Sequence, residues 1–445
     1  MKICMIGTGY VGLVTGTMFA DRGNEVVCVD NNPDIVDRLN DGKIHIFEPG
    51  LEEKVASSVR RGNLSFTRDP AEPVRESEVT FLAVGTPSNG DGSFNLKYLK
   101  GAARDVGAAL RATTGLGVVV GKSTVPQGTY KVLTDIMESA KGDSGADIAY
   151  VSNPETLAEG TAVRDFSSPD RIIIGTDSDE AFAIMEELYH PFNIRDDRIR
   201  RGSPADAELA KLFSNTALAN RVAMVNEFAR IADVTPGADM DVIRRMVCED
   251  RRIGFSFMFP SPGYGGSCFP KDIQGVVAQA IKDGYEPVLL STIHESNERH
   301  KNYLGRRITD LLAQKESPRI AVWGLTFKPK TDDMRDAASV PIITRLLNEG
   351  AQVTAYDPQD EKARKIFGNN IDFARGQYEA TEDADALVLL TEWKQFDAPD
   401  FDKLGSLMAG RQLFDLRNRW LPAAANRHGF HYFGVGRSYP LTQII

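Results

Sequence analysis

A single thiol, Cys268, stands within Gly263-Tyr264-Gly265-Gly266-Ser267-Cys268-Phe269-Pro270-Lys271-Asp272, where glycines let backbone N–H groups come close and a cation and a carboxylate follow. A thiolate is a strong nucleophile, and neighbouring positive charge lowers a thiol's pKa until it can attack a carbonyl near neutral pH. A buried structural cysteine beside a turn is the ordinary alternative. That description suits the other cysteines: Cys4 and Cys28 fall in apolar runs, and Cys248 has no comparable setting.

A second chemistry is written at the start of the chain. Gly7, Gly9 and Gly12 have GxGxxG spacing, with Tyr10 and Val11 between them. The first glycine allows a tight turn, the second admits a pyrophosphate, and the third lets helix and strand pack closely. The pattern follows a strand-like run, opens a helix-like one and is answered by Asp30 at the end of the next strand, where a carboxylate can accept hydrogen bonds from an adenine ribose. This predicts bound NAD, and Asp30 repels the 2′-phosphate of NADP. A glycine turn that only packs a helix is the alternative. Thr86-Pro87 and Lys122-Ser123-Thr124-Val125-Pro126 follow later strands, where loops line a ligand crevice or simply turn the chain.

Two pairs are spaced by four residues. If their segment is helical, Glu155 and Glu159 share a face and can orient water and manage protons, although a solvated acidic face is the plainer reading. Lys211 and Asn215 can point together from a long helix, offering a cation and a neutral donor to a developing oxyanion. A lone helical lysine ordinarily faces solvent.

These groups need elements to hold them. Strands are expected at Lys2 to Ile6, Glu25 to Val29, Val79 to Val84, Gly117 to Val120, Ile148 to Val151 and Arg171 to Ile174, alternating with helices in the pattern of a mostly parallel sheet covered on both faces. From Pro204 the apolar spacing becomes helical, with Ser203 as N-cap and a stop at Pro236-Gly237. A second α/β unit opens at Arg319, with a helix near 337 to 349 and a strand Gln352 to Tyr356, but its first turn, Gly324-Leu325-Thr326-Phe327-Lys328, lacks the repeated glycines of a dinucleotide site. The expected fold is therefore α/β, two Rossmann-like doubly wound domains joined by a central helical segment with one long helix. The boundaries fall at 1–203, 204–313 and 314–445.

At 445 residues the chain exceeds what one core usually serves, and its 42% hydrophobic and 26% charged residues are those of a globular protein. A net charge of −10 gives no reason to seek nucleic acid or an anionic membrane; the basic run Arg195 to Arg201 reads as a solvated connector. The start carries no secretion leader, no run is apolar enough to span a bilayer, and four cysteines lack disulfide or metal spacing, so a reduced cytoplasmic setting without a bound metal is expected.

Five segments, the glycine turn with Asp30, Lys122 through Pro126, Asn153-Pro154-Glu155 through Gly160, Lys211 through Asn215, and the Cys268 loop, closely resemble the UDP-glucose/GDP-mannose dehydrogenase family, in its UDP-glucose branch, and the likeness runs over essentially the whole chain. The resemblance implies an N-terminal NAD domain, a central dimerising segment and a C-terminal domain for the nucleotide of a UDP-sugar. It implies four-electron oxidation of UDP-glucose to UDP-glucuronate, with Cys268 passing through a thiohemiacetal and a thioester. Glu155 would assist thioester hydrolysis, Lys211 and Asn215 would face the reacting carbon, and Asp272 would join in proton transfer. Thr124 would serve both catalysis and cofactor contact, and Tyr10, Val11, Thr86, Glu159 and Arg335 would touch NAD. Thr156, Leu157, Phe257, Tyr264 and Gly265 would line the sugar-nucleotide pocket, where Phe257 and Tyr264 could equally be core aromatics. Lys328 and Arg417 would hold the diphosphate, as arginine's planar fork suits phosphate. Arg252 would reach the donor of the partner subunit, so that a homodimer completes the site.

One departure is Thr156, where relatives usually carry Phe. It leaves GDP-mannose or a UDP-N-acetylhexosamine as alternative donors, although N-acetylhexosamine relatives tend to carry His where Ser267 stands. A two-electron alcohol or hydroxyacid dehydrogenase would need no thiol. A nucleotide-sugar-binding regulatory module would have no reason to keep Cys268, Lys211, Asn215 and Asp272 together.

Overall fold

The computed structural model describes residues 1–194 and 197–437, which divide into two compact units. The first comprises Met1–Ser214 and Gln274–Glu286; the second takes Asn215–Ile273 and the chain from Pro287 on.

The first unit is built on strands β1 (Lys2–Ile6), β2 (Glu25–Val29), β3 (Leu64–Thr67), β4 (Val79–Leu82), β5 (Leu116–Gly121), β6 (Asp147–Ser152), β7 (Ile172–Gly175) and β8 (Ile199–Gly202). They form one sheet in the order β3-β2-β1-β4-β5-β6-β7-β8, parallel except between β6 and β7. Alternate side chains reach opposite faces: Ile3 and Met5 of β1 join one buried cluster with Phe19 and Phe81, while Cys4 and Ile6 join another with Leu99 and Val119. A strand apolar on both faces is the mark of a sheet covered by helices twice. The basic connector ends differently from expectation, because Ile199–Gly202 pairs in parallel with β7 and becomes the sheet's edge. Arg195 lies outside the described residues.

A helix of 30 residues, Pro204–Asp233, carries the chain onward. Ser203 caps it: the hydroxyl oxygen accepts the Asp206 N–H at 3.2 Å, and the Asp206 carboxylate accepts the Ser203 N–H at 2.9 Å. Further helices follow at Met240–Cys248, Phe269–Lys282 and Val288–Leu311.

The second sheet comprises β9 (Arg319–Trp323), β10 (Gln352–Tyr356), β11 (Asp372–Phe373), β12 (Ala386–Leu389), β13 (Gln412–Asp415) and β14 (His431–Gly434), in the order β11-β10-β9-β12-β13-β14 and parallel throughout. The helix Ser339–Asn348 packs on one face with Ile320 and Val322, while Ala321 and Trp323 face the other. Both sheets therefore reverse strand order beside their first strand, the position at which open α/β sheets bind ligands beyond the carboxyl ends of their strands.

Candidate active site

The glycine turn sits at the carboxyl end of β1. Gly7 has φ +100°, a conformation that side chains rarely adopt, and a Cβ on Gly12 would collide with the Gly7 carbonyl oxygen. A Cβ on Gly9 would meet nothing within 4 Å. The helix Tyr10–Asp21 that begins here has no side-chain cap and no acidic residue in its first turn, so its N–H groups suit a phosphate. Asp30 borders the turn, accepting the Thr8 N–H at 3.0 Å and hydroxyl at 2.6 Å. Thr86 donates to the Thr124 carbonyl at 2.8 Å, joining the loops after β4 and β5. These residues fit a dinucleotide. Tyr10, beside Val11, bonds Glu48, whose carboxylate also accepts the Gly160 N–H at 2.6 Å. That link joins the turn to the loop bearing Glu155 and Glu159.

That loop is not helical, which corrects the expected shared face of Glu155 and Glu159. Pro154 supplies no N–H, and the Glu155 carboxylate takes the Leu157 N–H at 2.6 Å, closing a local turn instead. Glu155 is buried, and Lys211 Nζ lies 2.7 Å from its carboxylate; Thr156, Leu157 and Glu159 are partly exposed. Burial raises the Glu155 pKa, but the Lys211 charge and hydrogen bond, the Leu157 N–H and Lys122 together hold it below the usual value. Lys211 is thus not the solvent-facing lysine of an ordinary helix.

In the second unit Cys268 immediately precedes the helix Phe269–Lys282, half-buried, with its sulfur 3.4 Å from the Ser267 hydroxyl. The first-turn N–H groups of that helix favour negative charge on the sulfur. Cys4, Cys28 and Cys248 are buried, and burial drives the Cys28 thiol up to about 12. Asp272, one turn into the helix and 1% exposed, accepts from Asn215 at 2.6 Å and Lys271 at 2.6 Å. The glycines before Cys268 have steric reasons. Gly266 has φ +84° and donates to the Arg335 carbonyl at 2.7 Å, and a Cβ on Gly265 would collide with the Asp336 carbonyl. Tyr264 is buried, its N–H accepted by Asn297 at 2.9 Å, and its hydroxyl has no hydrogen-bond partner among the described residues. Phe257 is exposed at φ +59°. The Arg252 side chain is 89% exposed, paired with Asp250 at 2.6 Å.

Lys328 and Arg417 follow β9 and β13. Arg417 donates to the Phe327 carbonyl at 3.2 Å and the Leu390 carbonyl at 2.7 Å, and it pairs with Glu392 at 2.9 Å. Lys328 therefore adjoins a residue that Arg417 holds. Arg335 forks onto the buried Asp333 and is otherwise largely exposed.

The sequence reading missed Lys122 as a buried cation, Asn153 and Tyr189 as its partners, Glu48 as the anchor of Gly160, and Lys271 as a partner of Asp272. Lys122, Asn153 and Lys271 carried a signal, because each stands within a motif already singled out; Tyr189 and Glu48 carried none. Among the described residues no group of three or more His, Cys, Asp or Glu is arranged to hold a metal, and no helix is long and apolar enough to cross a membrane.

Residues 1–193 match the NAD binding domain of the UDP-glucose/GDP-mannose dehydrogenase family, 205–299 its central domain and 321–422 its UDP binding domain. The UDP-glucose 6-dehydrogenase of Rhizobium meliloti (strain 1021) is 44% identical over 98% of this chain and 100% of its own. That of Pseudomonas aeruginosa is 40% identical, over 98% of each. A solved UDP-glucose dehydrogenase from the hyperthermophilic archaeon Pyrobaculum islandicum superposes with a TM-score of 0.90 at 34% identity, covering 98% of this chain and 97% of that one.

Proposed function

The chain belongs to the UDP-glucose/GDP-mannose dehydrogenase family, an NAD-dependent oxidoreductase built from all three of its domains, and we propose that it converts UDP-glucose to UDP-glucuronate with Cys268 as the nucleophile. The observation that carries this reading is the setting of Cys268: a half-buried thiol at a helix N-terminus, behind glycines that only glycine can replace.

NAD, bound at the Gly7 turn and Asp30 with help from Tyr10, Val11, Thr86, Thr124, Glu159 and Arg335, supplies the acceptor for a hydride at each of two oxidations. The Cys268 sulfur adds to the aldehyde carbon left by the first oxidation, giving a thiohemiacetal. Loss of the second hydride leaves a thioester, which water cleaves to carboxylate and free thiol. Lys211 and Asn215 stabilise negative charge on the substrate oxygen, Asp272 and Thr124 take part in proton transfer, and Glu155 removes a proton from the hydrolytic water. Lys328 and Arg417 hold the diphosphate, and Thr156, Leu157, Phe257, Tyr264 and Gly265 line the donor pocket.

The three-part division at 1–203, 204–313 and 314–445 gives the central segment the task of dimerisation. Phe228, Ile231, Val234, Val242, Met246 and Phe259 in this segment are exposed apolar side chains that an interface would cover. In the homodimer Arg252 serves the partner's site, and the protein works in the cytoplasm. NADH release across a panel of sugar nucleotides tests the assignment: UDP-glucose must yield two NADH per molecule, and a preference for GDP-mannose or a UDP-N-acetylhexosamine overturns the donor.

A further inference from the structure

Lys122 directly follows β5 with 4% of its surface exposed, and no step above uses it. Its ammonium donates to Asn153 Oδ1 at 3.0 Å and to Tyr189 Oη at 3.1 Å, both neutral acceptors. Tyr189 donates to the same Asn153 oxygen at 2.6 Å, and Asn153 Nδ2 is fixed by the Ile173 carbonyl at 2.7 Å. The arrangement is rigid and expensive, because a buried cation with neutral partners recovers little of its lost hydration. Burial, opposed by Glu155 and reinforced by Lys211, pushes Lys122 down to about 7. Lys122 in turn is one of the charges that hold Glu155 low. Two other ionisable groups border the same small cleft, Asp165 bound to Thr161 and Arg171 bound to Ser214.

We propose that Lys122 is a positioning residue for hydrolysis: bonded to Asn153, two residues before Glu155 in the same loop, and held by Tyr189, it fixes that loop and gives Glu155 a second cationic neighbour when Lys211 serves the substrate oxyanion. Lys122 acts through Glu155. The proposal rests on the reading of Glu155 as the hydrolytic residue.

The test uses the full-length enzyme as Lys122→Met, Lys122→Arg, Tyr189→Phe and Glu155→Gln, with kcat and KM for UDP-glucose and NAD measured from pH 6 to 9. Intact-protein mass spectrometry during turnover reads the covalent enzyme–substrate adduct. Lys122→Met is expected to lower kcat by about tenfold or more with KM within about twofold, and to accumulate the adduct as Glu155→Gln does. Lys122→Arg is expected to recover most of the rate and to extend it to higher pH, because guanidinium keeps its charge. Lys122→Met at wild-type kcat, or slowed without adduct, overturns the proposal. Should Lys122→Met not fold, Tyr189→Phe decides: loss of one acceptor must move the fall of kcat near neutrality to lower pH, and an unchanged profile overturns the idea. Glu155→Gln with wild-type turnover would overturn the reading of Glu155 itself, whereas adduct in Glu155→Gln alone overturns only the role of Lys122.

Discussion

The Lys211 ammonium lies 2.7 Å from the Glu155 carboxylate, with the two side chains only 8% and 6% exposed. Such a pair is a poor source of stability, since desolvation consumes much of its attraction, but breaking it strands a buried charge. Glu155→Gln should therefore cost about 3–5 kcal/mol of stability as well as activity. Turnover should fall by about 10²–10⁴-fold, the span typical of a lost general base, while a first burst of NADH survives. Thermal denaturation and rapid-mixing absorbance check the two halves separately.

Two glycines of the first turn should fail in different ways. Gly9→Ala meets no atom within 4 Å and should leave the melting temperature near wild type while weakening NAD binding, because the new methyl occupies the pyrophosphate's approach. Gly12→Ala drives a methyl into the Gly7 carbonyl and should destabilise the whole first unit. Calorimetric NAD titration beside thermal melts separates them.

Much of this fold could be read from the chain because its signals are local. The apolar run Lys2 to Ile6, the glycines after it and the Ser203 cap each specify geometry through neighbours in sequence, and the strand and long-helix boundaries follow them closely. Glu155 and Glu159 misled, because spacing by four speaks only if a helix forms, and Pro154 with the Glu155–Leu157 bond prevents one. The Lys122–Asn153–Tyr189 group was illegible for another reason: its members follow β5, follow β6 and end a helix, up to 67 residues apart, and are brought together only by the pairing of β5 with β6 and the packing of that helix.

Arg252 is expected to matter across an interface. With 89% of its side chain exposed and paired to Asp250 two residues away, Arg252→Ala should melt like wild type yet raise KM for UDP-glucose. Equal mixing and reassembly of Arg252→Ala with Cys268→Ser should restore roughly a quarter of wild-type activity, from the one intact site in each mixed dimer. No recovery would place Arg252 in its own subunit's site or outside any.

Glu208 sets a pH dependence of stability. It lies on the long helix three residues before Lys211 and accepts the Gly128 and Tyr130 N–H groups at 2.7 and 2.8 Å. Burial, only partly opposed by the Tyr130, Gly128 and Thr129 N–H groups, raises it to about 7. A carboxyl raised on folding binds its proton more tightly in the native state, so its contribution is full below the unfolded value of about 4.3 and is lost as pH rises through about 7. Glu208→Gln should narrow the difference in melting temperature between pH 5 and pH 8; an unchanged difference refutes the assignment.

The most direct measurement follows UDP-glucuronate and NADH together in wild type and Cys268→Ser. The thiol chemistry predicts two NADH for each UDP-glucuronate from wild type, and no UDP-glucuronate above background from a folded, NAD-binding Cys268→Ser. UDP-glucuronate formed by that variant at the wild-type rate would contradict it.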